Sequence, residues 1–516
     1  MPLFLGVDCG TQSLKVIAWD ADSALVVDSA QVAYPLIEGL PPGHKEQHPQ
    51  TWIDALESCM AQLRSSGRVP LAGVAAIGVS GQQHGFVPLD SSDKVIRAAK
   101  LWCDTSTEME CTALLDAAGG LQAAIAETGN GIPAGFTISK VRWLKDHEPA
   151  NYRRLAWILL PHDYLNLYLT AQKTAECGDA SGSGFFDVRR RCWSDKALGW
   201  IDPNTSLRDK LPALVQSSQP AGTIRRELAE RWGVPASTLV SSGGGDNMMG
   251  AIGTGNVARG VVTASLGTSG TLYACSTEAI VDPEAEIAGF CDSTGNWLPL
   301  ACTMNVTVAT EMVRSGFFPG DSFDQFDAAI AQIQPGSEGL VLLPYLEGER
   351  TPNVPQGTGV LLGLRPATAT PAHLARAAME GVTLGLRYGL DRMKELGIDP
   401  QEIRLIGGGS RSPLWRQMVA DIFGTSVVCL KTEESAALGA ALQAFWMWSQ
   451  QSGAAETISD IVRRAVVLDS SATRPREGTR RRYHELYELY LELNRTLCCA
   501  GSEQSVFARH RKFVSG

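Results

Sequence analysis

Apolar residues in this 516-residue chain recur with two different periods. Strand-length apolar runs come first. LFLGVDC enters a Gly-Thr turn and leaves through SLKVIAWD, so Leu3 to Asp20 predicts a hairpin. RGVVTASLGTSGTLYAC, Arg259 to Cys275, has the same design, with Thr268, Ser269 and Thr271 where the first turn has Thr11 and Ser13. The likeness suggests a duplicated architecture, although Gly-Thr hairpin tips also recur by chance. VAAIGVSG (74–81) and EIRLIGGG (402–409) read as short buried strands. Helical spacing governs TPAHLARAAMEGVTLGLRYGLDRMKELG, where Thr370 suits the N-cap, Pro371 the first position and Gly397 the exit. SPLWRQMVADIFG repeats that grammar with Ser412, Pro413 and Gly424. YHELYELYLELNRTL is a further helix whose aromatic stripe reads as core, and the basic run TRPREGTRRRYHE before it reads as a solvated helix start. Strands interleaved with helices predict an α/β protein.

One stretch fits neither period. SSGGGDNMMG, Ser241 to Gly250, carries three glycines before its single charge, Asp246. It is either a flexible linker or a place where the backbone runs close to a ligand. The break between the two halves is expected near Gly250 to Asn256, which puts this stretch beside a domain junction.

The length exceeds one core and predicts two or three domains. Hydrophobic residues at 44% and charged residues at 19% are ordinary globular composition. A net charge of −10 excludes a general nucleic-acid or membrane-surface binder but not an anionic ligand held by backbone N–H groups. Twelve cysteines include no Cys-x-x-Cys pair, and the adjacent Cys498 and Cys499 suit neither a simple bridge nor zinc. No apolar run approaches the roughly 20 residues of a membrane span. These features predict a cytoplasmic protein with free thiols.

Among phosphate-binding patterns, Gly-x4-Gly-Lys-Ser/Thr and Gly-x-Gly-x-x-Gly are both missing. What remains is a pair of Gly-Thr turns and isolated acids. Asp8 precedes Gly10 and Thr11 and could hold hydrated Mg²⁺ while the turn faces phosphate. Lys15 adds a cation if its strand directs it inward. IGGGSRSPLW brings three glycines to a helix start, a layout that suits a nucleotide.

GVDCGTQSLKV, VSGQQHGFVPLD, LWCDTST, TGNGIPAGFTISKVRWL, LPHDYLNLYLT, GDASGSGFFDV, GGGDNMMGAIG, LGTSGTLY, PYLEGERTPN and GGGSRSPLWRQMVADIFG, in this order, resemble the FGGY family of carbohydrate kinases over nearly the whole chain. The resemblance implies two α/β domains of the actin/hexokinase-like (ribonuclease H-like) ATPase type, residues 1–250 and 251–516. Each would hold a mixed five-stranded sheet flanked by helices, with the active site in the cleft between them. It implies ATP and Mg²⁺ as cofactors and ATP-dependent phosphorylation of a ketopentose, first of all D-xylulose at O5. D-ribulose, L-ribulose or a sugar alcohol are the alternative substrates, and a catalytically silent sensor is the alternative in a different class. A sugar and ATP are the implied partners, with neither nucleic acid nor membrane, and a homodimer is admitted.

Residue by residue, the resemblance implies Asp246 as base and Asp8 as the acid of the first phosphate loop, both holding metal through water. Gln83, His84, Asn247, Trp102 and Asp104 are implied at the sugar. Gly10, Thr11, Lys15, Gly267, Thr268, Gly408, Gly409 and Ser412 are implied at ATP and its phosphates. Gln83 stands where xylulose-phosphorylating members usually have methionine, and it adds hydrogen-bonding capacity beside the sugar. Cys9 replaces an apolar residue, which changes packing alone. Gly135 stands where glycerol-phosphorylating members have an aromatic ring, which counts against glycerol. No chemical role follows for PYLEGERTPN, whose Glu349 and Arg350 would pair across a loop. Without the resemblance, His84 reads first as a hydrogen-bonded structural histidine, and Asp8 could simply cap a hairpin.

Overall fold

The computed structural model describes residues 2–431, 434–498 and 505–515. Two compact units result. The first comprises Met1–Ala258, Cys275–Pro299 and Glu434–Val466, and the second Arg259–Ala274, Leu300–Glu433 and Val467–Gly516. This differs from one boundary after Gly250. A cut there would divide the helix Asp246–Thr254, and the first unit recovers two later segments.

The first unit is built on one mixed sheet. Its strands are β1 (Leu3–Cys9), β2 (Ser13–Asp20), β3 (Leu25–Ala33), β4 (Val74–Gly81), β5 (Pro220–Thr223), β6 (Leu239–Ser241) and β7 (Gly244–Gly245). The order is β5-β6-β4-β1-β2-β3, with β7 also on β4. β1 pairs antiparallel with β2 and parallel with β4. The sheet therefore has seven strands rather than five. The additions are the antiparallel edge β5 and the two-residue β7, both too short to show a period in sequence.

One face of this sheet carries a close-packed helix. Ser435–Gln451 presents Ala437, Ala440, Ala441 and Ala444, all buried, in a cluster with Phe4, Ile17 and Trp19. The approach is backbone to backbone. A Cβ on Gly6 of β1 would lie 1.9 Å from the Ala437 carbonyl oxygen, and one on Gly78 of β4 would lie 2.0 Å from that of Ala440. Side chains of any size would push this helix off the sheet. The opposite face packs Trp52, Leu56, Cys59 and Met60 of the helix Pro49–Ser66 against Val7, Leu14 and Val16.

Three helices of this unit frame the site: α1 (Pro161–Thr170), α2 (Cys177–Ala180) and α3 (Asp246–Thr254).

Within the second unit, β8 (Val261–Leu266) and β9 (Gly270–Ala274) form the expected hairpin. β10 (Trp297–Thr303) pairs with β9, while β11 (Glu402–Ile406) and β12 (Val427–Cys429) extend the other side in parallel; with the edge strand Ile287–Cys291 this sheet has six strands rather than the expected five. Pro371–Glu395 is the long helix, and Thr370 accepts from the His373 N–H as its N-cap. Glu477–Cys498 buries Tyr483, Tyr487 and Tyr490, as its stripe predicts, and the basic run forms its first turns. No helix among the described residues is long and apolar enough to cross a membrane. The eleven described cysteines are free, and Cys499 lies outside the described residues.

Candidate active site

Asp246 reaches the site because a strand is interrupted and then ended. β6 pairs with β4 through Leu239–Ala76 and Val240–Ile77. Pairing resumes one residue out of step, at Gly244–Ser80 and Gly245–Gly81. The bulge falls at Gly243, whose φ of +71° disfavours any side chain. A Cβ there would lie 2.6 Å from the Val79 carbonyl oxygen. On Gly244 it would meet Ser293 Oγ at 2.4 Å, and on Gly245 the Gln83 side chain at 2.6 Å. The glycine run is thus a bulged strand end, not a linker. α3 begins at once, with Asp246 in its first turn, where unpaired N–H groups favour negative charge. Asp246 Oδ1 accepts from the Asn247 N–H (2.9 Å) and from Asn247 Nδ2 (3.1 Å).

Asp8 lies at the same end of the sheet. It pairs across β1 and β2 with Lys15, and across β1 and β4 with Ser80. Ser80 in turn pairs with Gly244, so Asp8 and the end of β7 are two strands apart, about 10 Å at normal spacing. Ser80 Oγ donates to Asp8 Oδ1 at 2.8 Å. Burial pushes the Asp8 carboxyl up to about 6, opposed by that hydrogen bond. Burial likewise pushes Asp246 up to about 7, and the negative charges of Asp8 and Asp179 add to the effect. Lys15 does face inward with Asp8 but is paired with Glu434.

Gln83 and His84 follow directly on β4. The Gln83 amide engages two neighbours: its Oε1 accepts from Asn247 Nδ2 at 2.6 Å and its Nε2 donates to Met248 Sδ at 3.2 Å. Gln83 therefore fixes Asn247. His84 is buried with φ +60°. Its carbonyl accepts from Lys140 Nζ (2.7 Å) and Thr137 Oγ1 (3.1 Å). Its ring lies between Phe136 and Phe290, with centroids at 5.0 and 5.3 Å.

Three expected contacts are arranged differently. The Gly10 N–H closes the hairpin on the Ser13 carbonyl (3.0 Å) and is not offered to phosphate. The Thr11 hydroxyl donates to Gln82 Oε1 (3.1 Å) and accepts from Trp102 Nε1 (3.0 Å), so its proton is committed within the protein. Trp102 thus belongs to the first loop.

The Asp104 carboxylate is committed to a lysine. It is fully buried beside Lys100 Nζ at 3.1 Å, with Glu46 at 3.2 Å from the same ammonium and His44 Nδ1 also at 3.2 Å. His44, Glu46 and Asp104 have the spacing of a metal site. The Lys100 ammonium occupies the position a cation would take, 4.1 Å from the Trp143 ring centroid. Asp104 compensates a buried lysine.

In the second unit, Gly267 and Thr268 form the β8–β9 turn, and their carbonyls accept from the Thr307 and Val306 N–H groups at 3.0 and 3.1 Å. Gly408 and Gly409 lie beside that hairpin. A Cβ on Gly409 would meet Leu266 and Trp415 at under 3 Å, whereas one on Gly408 would meet nothing within 4 Å. Gly408 is therefore the one of the two with open space beside it. Gly407, not singled out from sequence, takes φ +85° against the Leu266 backbone. Ser412 caps Pro413–Phe423, accepting from the Trp415 N–H (3.0 Å) and donating to Asp327. That double commitment takes its hydroxyl away from a nucleotide. Glu349 accepts from the Met304 and Arg350 N–H groups and from Asn305 Nδ2.

Sequence reasoning quoted LPHDYLNLYLT and GDASGSGFFDV without giving their residues a role. They supply His162 on α1, Asp179 on α2, and Glu176, which caps α2 by accepting from the Gly178 and Asp179 N–H groups (2.8 and 2.6 Å). His162 Nδ1 is 2.7 Å from Asp179 Oδ2.

Paired Gly-Thr hairpins, one in each unit, and an aspartate heading a helix beside the first hairpin define a carbohydrate kinase fold. The chain belongs to the FGGY family of carbohydrate kinases: residues 3–253 match its N-terminal domain and residues 262–448 its C-terminal domain. It is 40% identical over 494 residues to the xylulose kinase of Haemophilus influenzae, spanning 95% of this chain and 99% of that protein. It is 38% identical over 457 residues to that of Streptomyces coelicolor, spanning 88% and 90%. The crystal structure of a xyloylose kinase from Brucella ovis matches with a TM-score of 0.87 at 30% identity, over 95% of this chain and 98% of that one.

Proposed function

We propose that this protein transfers the γ-phosphoryl group of ATP to O5 of D-xylulose. The observation that carries the reading is Asp246 itself. It heads a helix, its Oδ1 is fixed by Asn247, and its carboxyl is pushed up to about 7, near the pH at which a general base works best. Relatives named xylulose kinase, 40% and 38% identical over most of this chain, support the choice of sugar.

In this reading Asp246 Oδ2 accepts the hydroxyl proton as the O–P bond forms, late enough for a carboxylate to suffice. His84 and Asn247 hold the sugar, and Gln83 holds Asn247. Gly267, Thr268 and the open Gly408 receive the nucleotide in the second unit. The Asp8 and Asp246 oxygens are hard donors, and a cation would relieve the repulsion that Asp8 exerts on Asp246, so the pair fits Mg²⁺ held through water. Mg²⁺, when bound, neutralises charge on the phosphate oxygens. The eleven described free cysteines support a reducing compartment such as the cytoplasm.

The test is ADP release and ³¹P NMR of the product with ATP-Mg²⁺ and D-xylulose, D-ribulose, L-ribulose, L-xylulose and sugar alcohols. D-xylulose should give the highest kcat/KM and a 5-phosphate. A tenfold preference for D-ribulose overturns the sugar, and no ADP with any sugar overturns the kinase reading.

A further inference from the structure

Four side chains form a hydrogen-bonded series at the head of α3. Asp246 Oδ1 accepts from the Asn247 N–H at 2.9 Å and from Asn247 Nδ2 at 3.1 Å. Asn247 Nδ2 also donates to Gln83 Oε1 at 2.6 Å. Gln83 Nε2 donates to Met248 Sδ at 3.2 Å. Gln83 and Met248 are buried, and Asn247 is half-buried beside them. Chemistry fixes the direction of each bond. A carboxylate offers only acceptors, so the Asn247 amide turns Nδ2 towards Asp246. The second hydrogen of Nδ2 then meets an acceptor in Gln83 Oε1. With Oε1 on Asn247, Gln83 Nε2 faces the thioether of Met248, a weak acceptor. Reversing either amide would set oxygen against oxygen or N–H against N–H.

The backbone is shaped to admit the Gln83 side chain. Gly245 has φ −66° and ψ 154°, a conformation open to any residue, so no turn requires glycine there. A Cβ on Gly245 would lie 2.6 Å from Gln83 Cγ, 2.9 Å from Cδ and 3.0 Å from Nε2. Glycine at this position therefore makes room for Gln83. Gly245 pairs with Gly81 at the end of β4, two residues before Gln83. The Gln83 amide thus stands between the end of β4 and the start of α3. Asn247 is held from two sides, by Asp246 on its own helix and by Gln83 from β4. Without Gln83 Oε1 its amide keeps one bond of 3.1 Å, and a half-buried side chain can exchange that bond for water.

We propose that Gln83 is a positioning residue for the base: it fixes the Asn247 amide, which ties Asp246 Oδ1 and leaves Oδ2 to take the proton. This rests on the reading that Asp246 is the base. The Asn247 N–H alone gives Oδ1 one bond, about which the carboxylate plane can swing. The amide gives it a second bond and holds the plane. A held carboxylate presents one oxygen in one direction, and the rate of proton transfer depends on that alignment. Gln83 therefore acts on kcat. A direct hydrogen bond from Gln83 to the sugar, made equally before and during the reaction, would act on KM instead. The sequence separates Gln83 from Asn247 by 164 positions, and the fold joins them because β7 pairs with β4.

The test is a double-mutant cycle in the full-length protein. It compares Gln83→Met, which keeps an unbranched side chain and removes the acceptor, with Asn247→Ala and with the double variant. With ATP-Mg²⁺ and D-xylulose, Gln83→Met should lower kcat about three- to tenfold, the worth of one hydrogen bond, with KM for ATP unchanged. With Asn247 already replaced by alanine, the same change should alter kcat by less than about twofold. An unchanged kcat in Gln83→Met overturns the proposal, as does a rise in sugar KM alone. An equal loss of kcat in both backgrounds also overturns it, since Gln83 would then not act through Asn247. Side-chain amide spectra of ¹⁵N-asparagine-labelled protein need no turnover. The Asn247 signal, assigned by its loss in Asn247→Ala, should be protected from exchange with water and lose that protection in Gln83→Met. A freely exchanging Asn247 amide in the wild-type protein overturns the proposal even if Gln83→Met fails to fold. Absence of kinase activity with every sugar would defeat the functional reading, while the spectrum still decides whether Gln83 holds Asn247.

Discussion

Replacing Gly243 with alanine tests whether the glycine run is built for geometry. The residue takes φ +71°, and its new Cβ would fall 2.6 Å from the Val79 carbonyl oxygen, with His162 Cδ2 and Asn166 Nδ2 at 3.3 and 3.4 Å. A left-handed conformation costs a non-glycine residue about 1–2 kcal/mol. Overpacking against a backbone that belongs to a central strand adds about 1–3 kcal/mol. The sum is about 2–5 kcal/mol, and with an unfolding entropy of about 2.1 cal/mol/K per residue over roughly 300 residues it lowers Tm by about 3–8 °C. Thermal unfolding followed by circular dichroism measures it. Gly199→Ala is the control: it lies in the helix Asp195–Ile201 with nothing within 4 Å of its Cβ, and should gain about 0.5–1 kcal/mol. A Gly243→Ala protein that melts with the wild type would refute the bulge argument.

Other outcomes follow from the buried charges. Lys100→Met removes the cation between Glu46 and Asp104 and should cost about 3–5 kcal/mol, read as a lower denaturation midpoint; metal binding by the wild-type protein at His44, Glu46 and Asp104 would contradict the lysine's role. The folded-state pKa of His162, about 9, lies above its ordinary 6.5, so its contribution to stability is full below 6.5 and is lost as pH rises through 9. Tm should therefore fall between pH 6.5 and 9, and His162→Gln should flatten that fall; an equal slope in both proteins would count against the imidazolium. Asp8→Asn removes one of the charges that raise Asp246, so the acid limb of kcat/KM should move to lower pH in whatever activity remains. An unmoved limb would show that Asp8 does not act on the base.

Local signals made much of the fold legible. Val74–Gly81 and both hairpins are set by apolar runs ending in turn residues, and Thr370 and Ser412 mark helix starts through capping chemistry alone. The return of Glu434–Val466 to the first unit was not legible, because its cause is the contact of Gly6 and Gly78 with a helix more than 350 residues away. Asp246, Asn247, Gln83 and His84 were named from their motifs, yet the motif could not show that Gln83 holds Asn247. The partner of Asp104 was not legible because a motif gives spacing and not direction, and its carboxylate turns to Lys100, four residues earlier. His162 and Asp179 were quoted but given no role, since one histidine and one acid seventeen residues apart carry no period.

The most direct test of the account is Asp246→Asn, assayed for phosphoryl transfer from ATP-Mg²⁺ to D-xylulose alongside calorimetric titration with the sugar. Asparagine keeps the shape but cannot take the proton. The account predicts sugar binding close to that of the wild type and a kcat reduced about 10²–10⁴-fold. Near-normal turnover by Asp246→Asn would contradict it.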